Sequence, residues 1–304
     1  MIWNSQKRPR TSGWILQDKA ANAEACARPC RNVVTIFIAI ALTTIAPADS
    51  RFASHVISAS GLGAGLYSDP IAALGKPTIW VKDTVQGGPV QKVAASVAYG
   101  AWGTDPAGNK LVVTIQNGGH LTVEFDPPIT DNPKHWWGYD FIVFGNSFLS
   151  HSTQISWDSD LSQVFVGASG DWLEPSPVSV SPDGIQWYTY TVNSRSAADA
   201  YWPTNGLDWE ENHGIWGSEQ DWTKPVPPWI TRGQLTGKSA AQVIRAFQGS
   251  AGGCAFDLAP TGFSSIRYIR VDGRGGEVDG FARVGMMKPP NILKALFSTK
   301  ENQK

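Results

Sequence analysis

The sequence predicts an all-β chain: a jelly-roll-like antiparallel β-sandwich carrying a long Trp-rich loop insertion. Three observations predict it. Short apolar strings, alternating or continuous, recur along the chain and are stopped by Gly, Pro or Asn. The 304 residues include 31 Gly and 20 Pro but only 3 Met, which favours turns and strands over a helical bundle. Only two segments, 70–74 (PIAAL) and 240–247 (AAQVIRAF), carry a helical signal. Apolar residues at 42% against 17% charged supply a core and exclude global disorder. The length fits one large domain or two small ones.

The first segment to be read is a leader. Residues 33–45 (VVTIFIAIALTTI) are uncharged and apolar, Arg28 and Arg31 precede them, and Ala46-Pro47-Ala48 gives an A-x-A pattern before Asp49. This reads as a secretory signal cleaved after Ala48, although the stretch ahead of the apolar run is long for an n-region. The run is shorter than the roughly 20 residues of a membrane span, so no span is expected after leader removal. Residues 1–48 are therefore set apart from the fold. Their loss removes Lys7, Arg8, Arg10, Lys19, Arg28, Arg31, Asp18 and Glu24, and so moves the formal charge from −1 to −5. That balance argues against a nucleic-acid partner, which would show a basic excess. Only Cys254 remains, so no intrachain disulfide forms.

Residues 49–287 form the predicted sandwich domain and 288–304 a polar tail. LVVTI (111–115) and HLTVEF (120–125), separated by Gln116-Asn117-Gly118-Gly119, read as a hairpin on an Asn-Gly turn. Asp126-Pro127-Pro128 stops the second strand. YDFIVF (139–144) is a further strand. VSVS (178–181) and WYTYT (187–191) flank Pro182-Asp183-Gly184 as a second hairpin. SIRYIRV (265–271) is a strand with Ile266 and Tyr268 on one face, and Arg267, Ile269 and Val271 on the other. FARVGM (281–286) is the last. Residues 199–253 hold Trp202, Trp209, Trp216, Trp222 and Trp229 and read as a long excursion from the sandwich.

Several strings in order resemble a poorly characterised family of exported bacterial cell-surface proteins with a discoidin-like, galactose-binding-like jelly roll. They are GLGAG (61–65), AALGKPT (72–78), GGHLTVEFD (118–126), DFIVFGNSF (140–148), SPDGIQW (181–187), GGCAFDLA (252–259) and RYIRV (267–271). The resemblance covers residues 60–285 and implies a fold and a secreted or cell-surface location more than an activity. The chain departs from the family's pattern where Gly145 and Cys254 replace acidic residues, and where Ala282 and Arg283 follow Phe281 in place of Asp residues. A calcium site carried by those acids in relatives would be weakened here.

Three chemistries are weighed. Calcium prefers six to eight oxygen ligands, and Asp140, Asn146, Asp257 and Asp279 stand near strand ends. The competing reading is that Asp140 and Asp257 satisfy turn amides and that Asp279-Gly280 is a turn. Sugar binding rests on twelve Trp left after Trp3 and Trp14 are set aside. Indole faces stack on sugar C–H faces, and Trp136, Trp137, Trp209 and Trp216 are the stacking candidates. Against this, large rings also anchor loops by burial. Hydrolysis would use two carboxylates across a cleft, with Asp208, Glu210, Glu211, Glu219 and Asp221 available in the excursion. No HExxH, GxSxG or phosphate-loop string is present. Cys254 reads as a small buried hydrophobe rather than a nucleophile. The resulting expectation is an exported, non-catalytic binding module for a glycan or another envelope component. The alternatives are a secreted glycan-active hydrolase and a structural envelope protein.

Overall fold

The computed structural model of the chain describes residues 49–82, 90–94, 108–109, 112–153, 159–191, 197–198 and 220–287. Of the two units into which the chain divides, Met1–Ala46 and Pro47–Lys304, these residues all lie in the second. Strand makes up 41% and helix 14%, which makes the chain all-β. The strands are β1 (His55–Leu62), β2 (Thr78–Lys82), β3 (Val90–Ala94), β4 (Thr114–Thr130), β5 (Phe141–Gly145), β6 (Ser176–Ser181), β7 (Tyr188–Thr189), β8 (Ala197–Ala198), β9 (Cys254–Phe256), β10 (Ser265–Asp272) and β11 (Gly276–Arg283). Among the described residues β2 and β3 pair only with each other. The rest join one antiparallel sheet in the order β7-β6-β10-β4-β11-β5-β9, with β1 also on β4 and β8 on β6. Among the described residues no helix is long and apolar enough to cross a membrane.

The sheet curls because β11 changes partners along its length. Gly276 and Glu277 pair with Ile115 and Thr114 of β4. From Val278 to Arg283 the same strand pairs with β5 instead. The two halves then face each other across one core. Val123, Phe125 and Ile129 of β4, Val178 and Val180 of β6, and Ile269 and Val271 of β10 meet Phe141 and Val143 of β5, Phe256 of β9 and Phe281 of β11. This is the predicted sandwich. Packing inside is ring on ring: Phe141 stacks on Phe256 at 4.8 Å with an interplanar angle of 7°.

Three sequence expectations are corrected. First, Asn117-Gly118-Gly119 does not reverse the chain. β4 runs through it, because β1 lies along one side and β10 followed by β11 along the other, on both sides of the interruption. Register steps from Ser60 opposite His120 to Leu62 opposite Ile115, so the extra residues form a bulge. Gly118 has φ 79°, and a Cβ on Gly119 would lie 2.5 Å from the Ser60 carbonyl, so the glycines serve a close strand approach. Second, a register shift after Ile266 puts Ile266, Ile269 and Val271 all in the core, while Tyr268 stays half-buried. Third, the last strand ends at Arg283, not Met286. Arg283 donates to the Pro127 and Pro128 carbonyls at 2.5 and 2.7 Å, which ties this strand end to β4 where an acid was expected.

The other elements follow the sequence more closely. The β6–β7 hairpin forms, with Asp183 Oδ1 accepting from the Ile185 and Gln186 amides at 2.8 Å each. The predicted helix at 240–247 is Ala240–Ala246, started by a reciprocal capping box between Ser239 and Gln242. Its buried Val243 joins Leu149, Val166, Val226, Ile230, Leu235 and Phe247 in a separate apolar cluster. The described part of the excursion, 220–253, therefore packs a small apolar cluster together with Leu149 and Val166.

Replacing Phe141 by Ala should lower unfolding free energy by about 3–5 kcal/mol, because a fully buried ring leaves a cavity. Replacing Ile185, 83% exposed at the hairpin tip, by Ser should change it by less than about 0.5 kcal/mol. Urea titrations of the two variants check this, and equal losses would contradict the core assignment.

Candidate functional site

β5 is buried at all five positions. Phe141 and Val143 face the sandwich core, and Ile142 and Phe144 face the opposite way. That outer side is covered by Phe52, Trp222, Ala251, Ala282 and Val284, with Trp136 and Tyr139 packed against them. The cover is stitched by the backbone. Asp221 N donates to Gly249 O at 2.8 Å, Gly285 N to Thr223 O at 2.9 Å, and Trp136 N to Gly285 O at 3.2 Å.

The turn that presents Trp136 and Trp137 is held by Asp140. Its fully buried carboxylate accepts from the Asn132 amide (3.0 Å), the His135 ring Nδ1 (2.8 Å) and the Leu258 amide (2.8 Å). Burial pushes this carboxyl up, against the three bonds that favour its charge. Asp257 Oδ1 accepts from the Ala259 amide at 2.9 Å.

A cleft of about 700 Å³ opens over the cover. Trp136, Trp222, Lys224, Asp221, Arg51 and Lys76 are among its walls. Lys224 is the organising side chain. Its Nζ lies 4.3 Å from the Trp136 ring centroid and 5.9 Å from that of Trp137, and it donates to the Gln248 carbonyl. Burial pushes the Lys224 ammonium down from its usual range, with Asp221 opposing. Trp137 continues the aromatic group to Trp229, edge to face at 5.5 Å. Trp229 is 53% exposed. Trp222 is buried, and its indole N–H has no hydrogen-bond partner among the described residues.

Trp137 (φ 56°) and Gln248 (φ 53°) are the non-glycine residues with left-handed backbone among those described. Such positions cost on the order of 1–3 kcal/mol each and persist where surrounding structure enforces them. Both of them contact Lys224.

Of the predicted stacking residues, Trp136 and Trp137 meet in this cluster, at 5.5 Å. Trp209 and Trp216 lie outside the described residues. The predicted calcium quartet splits in two. Asp140 and Asp257 approach Asp131, their carboxylate oxygens within 4.8 Å of one another. Asn146 stands beyond the other end of β5, roughly 20 Å away at about 3.3 Å per residue. Asp279 sits in the β11 irregularity opposite Gly145 and Phe144, at the Asn146 end. The four cannot share one ion. The Asp131 group fits calcium poorly too, because Asp140 is taken up by three donors, one an imidazole. Sequence reasoning missed Lys224, Arg51 and Lys76, since isolated cations in a loop carry no spacing signal. It also left Trp229 off the stacking set, although it named that residue in the cluster.

A pair of carboxylates stands elsewhere. Glu174 accepts from the Trp172 indole at 2.8 Å and from the Glu277 backbone amide at 2.9 Å. Burial, then the Glu174 charge, pushes Glu277 up to about 7. Trp172 stacks on Phe148 at 6.1 Å, and both are exposed. This pair lies near the start of β11, whereas the Lys224 cleft lies past its end, roughly 20–25 Å away along the strand.

Fold and site together define an all-β sandwich whose outer face carries an aromatic cleft around a lysine. No protein-family model matches the chain, and no curated protein is significantly similar to it.

Glu277 gives a pH test. Its folded pKa of about 7 lies above the ordinary 4.5, so the native state holds more protons between those values. Its contribution is therefore most favourable below pH 4.5 and is lost as pH rises toward 7. The gain in melting temperature of Glu277→Gln over the parent should be larger at pH 8 than at pH 5. An equal gain at both would show the carboxyl is not perturbed.

Proposed function

We propose that this chain is an exported, non-catalytic binding module that takes a carbohydrate in the Lys224 cleft by ring stacking and hydrogen bonding. The observation that carries the reading is the Trp136–Trp137–Trp229 group, opened by an exposed Trp229 beside a cleft with polar walls. An aromatic platform beside polar groups that can fix a ligand's orientation is what such clefts offer. Trp229 does not line the cleft itself; it continues the aromatic group from Trp137 and is the ring open to stacking. Trp136 has one face engaged by Lys224 and acts as that residue's support. Among the described residues lining the cleft, Asp221 is the one carboxylate, and its Oδ1 already accepts twice from Thr223, at 2.9 and 2.7 Å. Bond cleavage by a carboxylate pair is therefore not the chemistry this cleft favours. Export rests on the apolar run at 33–45 and its A-x-A end.

A second reading, a glycan-active hydrolase, draws on a different place. Glu174 and Glu277 stand beside the exposed Trp172–Phe148 stack, and one of the two acids is held near neutrality. Carboxylates with separated pKa values beside an aromatic surface are what glycoside hydrolysis uses. Both Glu174 oxygens are engaged in hydrogen bonds, which suits a structural pair better.

Trp229→Ala should weaken glycan binding at least tenfold on a neutral and acidic oligosaccharide panel while shifting the melting temperature little, because the ring is half exposed. Trp222→Ala should instead destabilise the fold by about 3–5 kcal/mol. Unchanged binding in Trp229→Ala defeats the cleft assignment. Turnover of any panel member that is lost in Glu277→Gln establishes the hydrolase instead.

A further inference from the structure

Resting on the reading of the cleft as a glycan site, we propose that its ligand is an acidic glycan and that Lys224 is the residue that meets the carboxylate or sulfate. Three observations carry this beyond a generic sugar platform. The first is placement. A lysine on a loop ordinarily extends its head into water, yet this one is folded back into the cleft wall over the faces of Trp136 and Trp137 and tied to the Gln248 carbonyl. An ammonium has three donors and no acceptor, so the Gln248 bond leaves donors for a ligand.

The second is what enforces that placement. Among the described residues, the two left-handed non-glycine positions both touch Lys224, Trp137 through its ring and Gln248 through its carbonyl. Such strain persists only where the surroundings enforce it, and here it holds two groups against one side chain. A neutral sugar hydroxyl can accept from the ammonium, but an anion gains the charge as well, and a preorganised charge needs no reordering when the ligand arrives.

The third is the charge around it. Arg51 and Lys76 also line the cleft. Arg51 is paired to Asp49 at 2.6 Å, and Asp221 is engaged by Thr223. Among the described lining residues Asp221 is the carboxylate, and its Oδ1 is engaged by the neutral Thr223 amide and hydroxyl. Partial burial also disfavours the free ammonium, and an incoming anion would reverse that.

The test uses the full chain and paired oligosaccharides that differ only in charge. Oligogalacturonate is compared with its methyl ester, and a sulfated galactan oligomer with its desulfated form, by titration calorimetry. Sodium sulfate alone serves as a free-anion control. At least one acidic member should bind tenfold or more tighter than its neutral partner, and that excess should fall with added salt. Lys224→Met should bring the acidic member down to the neutral one, and Lys224→Arg should keep most of the excess. The acid-to-neutral ratio and its salt dependence in the parent decide the matter even if Lys224→Met does not fold. Equal binding of acidic and neutral members overturns this inference and leaves the glycan reading standing. Binding of sulfate alone as tight as that of the acidic sugar overturns it in favour of a bare anion site. No binding by any member overturns both.

Discussion

The strand FIVFG must be covered on both of its faces, and the rest of the structure follows from that. An antiparallel sheet usually keeps one face in water and shows alternating apolar and polar residues. β5 has no polar position to offer. Its inner face is met by curling the sheet through β11, so that β4, β6 and β10 close over Phe141 and Val143. Its outer face is met by chain from elsewhere: Phe52 ahead of β1, the 135–139 turn, and the 220–251 stretch with Trp222. Burial of a side chain of this size is worth about 1.5–3 kcal/mol, so Ile142 and Phe144 alone give the excursion a reason to dock. The cleft is the space left where those three covering segments do not quite meet.

Much of the fold was legible because continuous and alternating apolar strings are direct records of burial. YDFIVF, SIRYIRV and the SPDG hairpin all stand close to where periodicity and turn chemistry put them. Two of the errors share one cause. Asn117-Gly118 reads as a reversal in isolation, but whether a glycine pair turns the chain or bulges a strand depends on what lies on either side. The inward face of SIRYIRV failed in the same way, since period two holds only until a bulge resets it. Partner strands decide both, and a local string does not contain them.

The site was legible in part, and for a related reason. Paired Trp136 and Trp137 stood out by rarity and proved to be joined to Trp229 and Lys224. The acidic residues were grouped by their nearness to strand ends, which cannot say which end. Asp140 precedes β5 and Asn146 follows it, so one strand length separates residues that a shared ion would need within a few ångströms. What Asp140 does is visible only once its three donors are placed: it fixes the turn from which the two indoles project. A residue proposed for a ligand thus supports the site by holding its frame.

That frame explains how a strained and partly desolvated group persists. The left-handed backbone at Trp137 and Gln248 costs on the order of 1–3 kcal/mol at each position. The cation–ring contacts of Lys224 return about 0.5–2 kcal/mol, which does not offset both. The difference must come from elsewhere, and the anchors on either side supply it. Asp140 locks the 132–138 turn from below, and the 221–224 loop is stitched to Gly249 and Gly285 by backbone bonds. With both sides held, the ring faces and the Gln248 carbonyl stay in place around Lys224. The arrangement makes no contribution to the core between the layers, so the fold alone would not select it, and the proposed binding would give it a reason to persist.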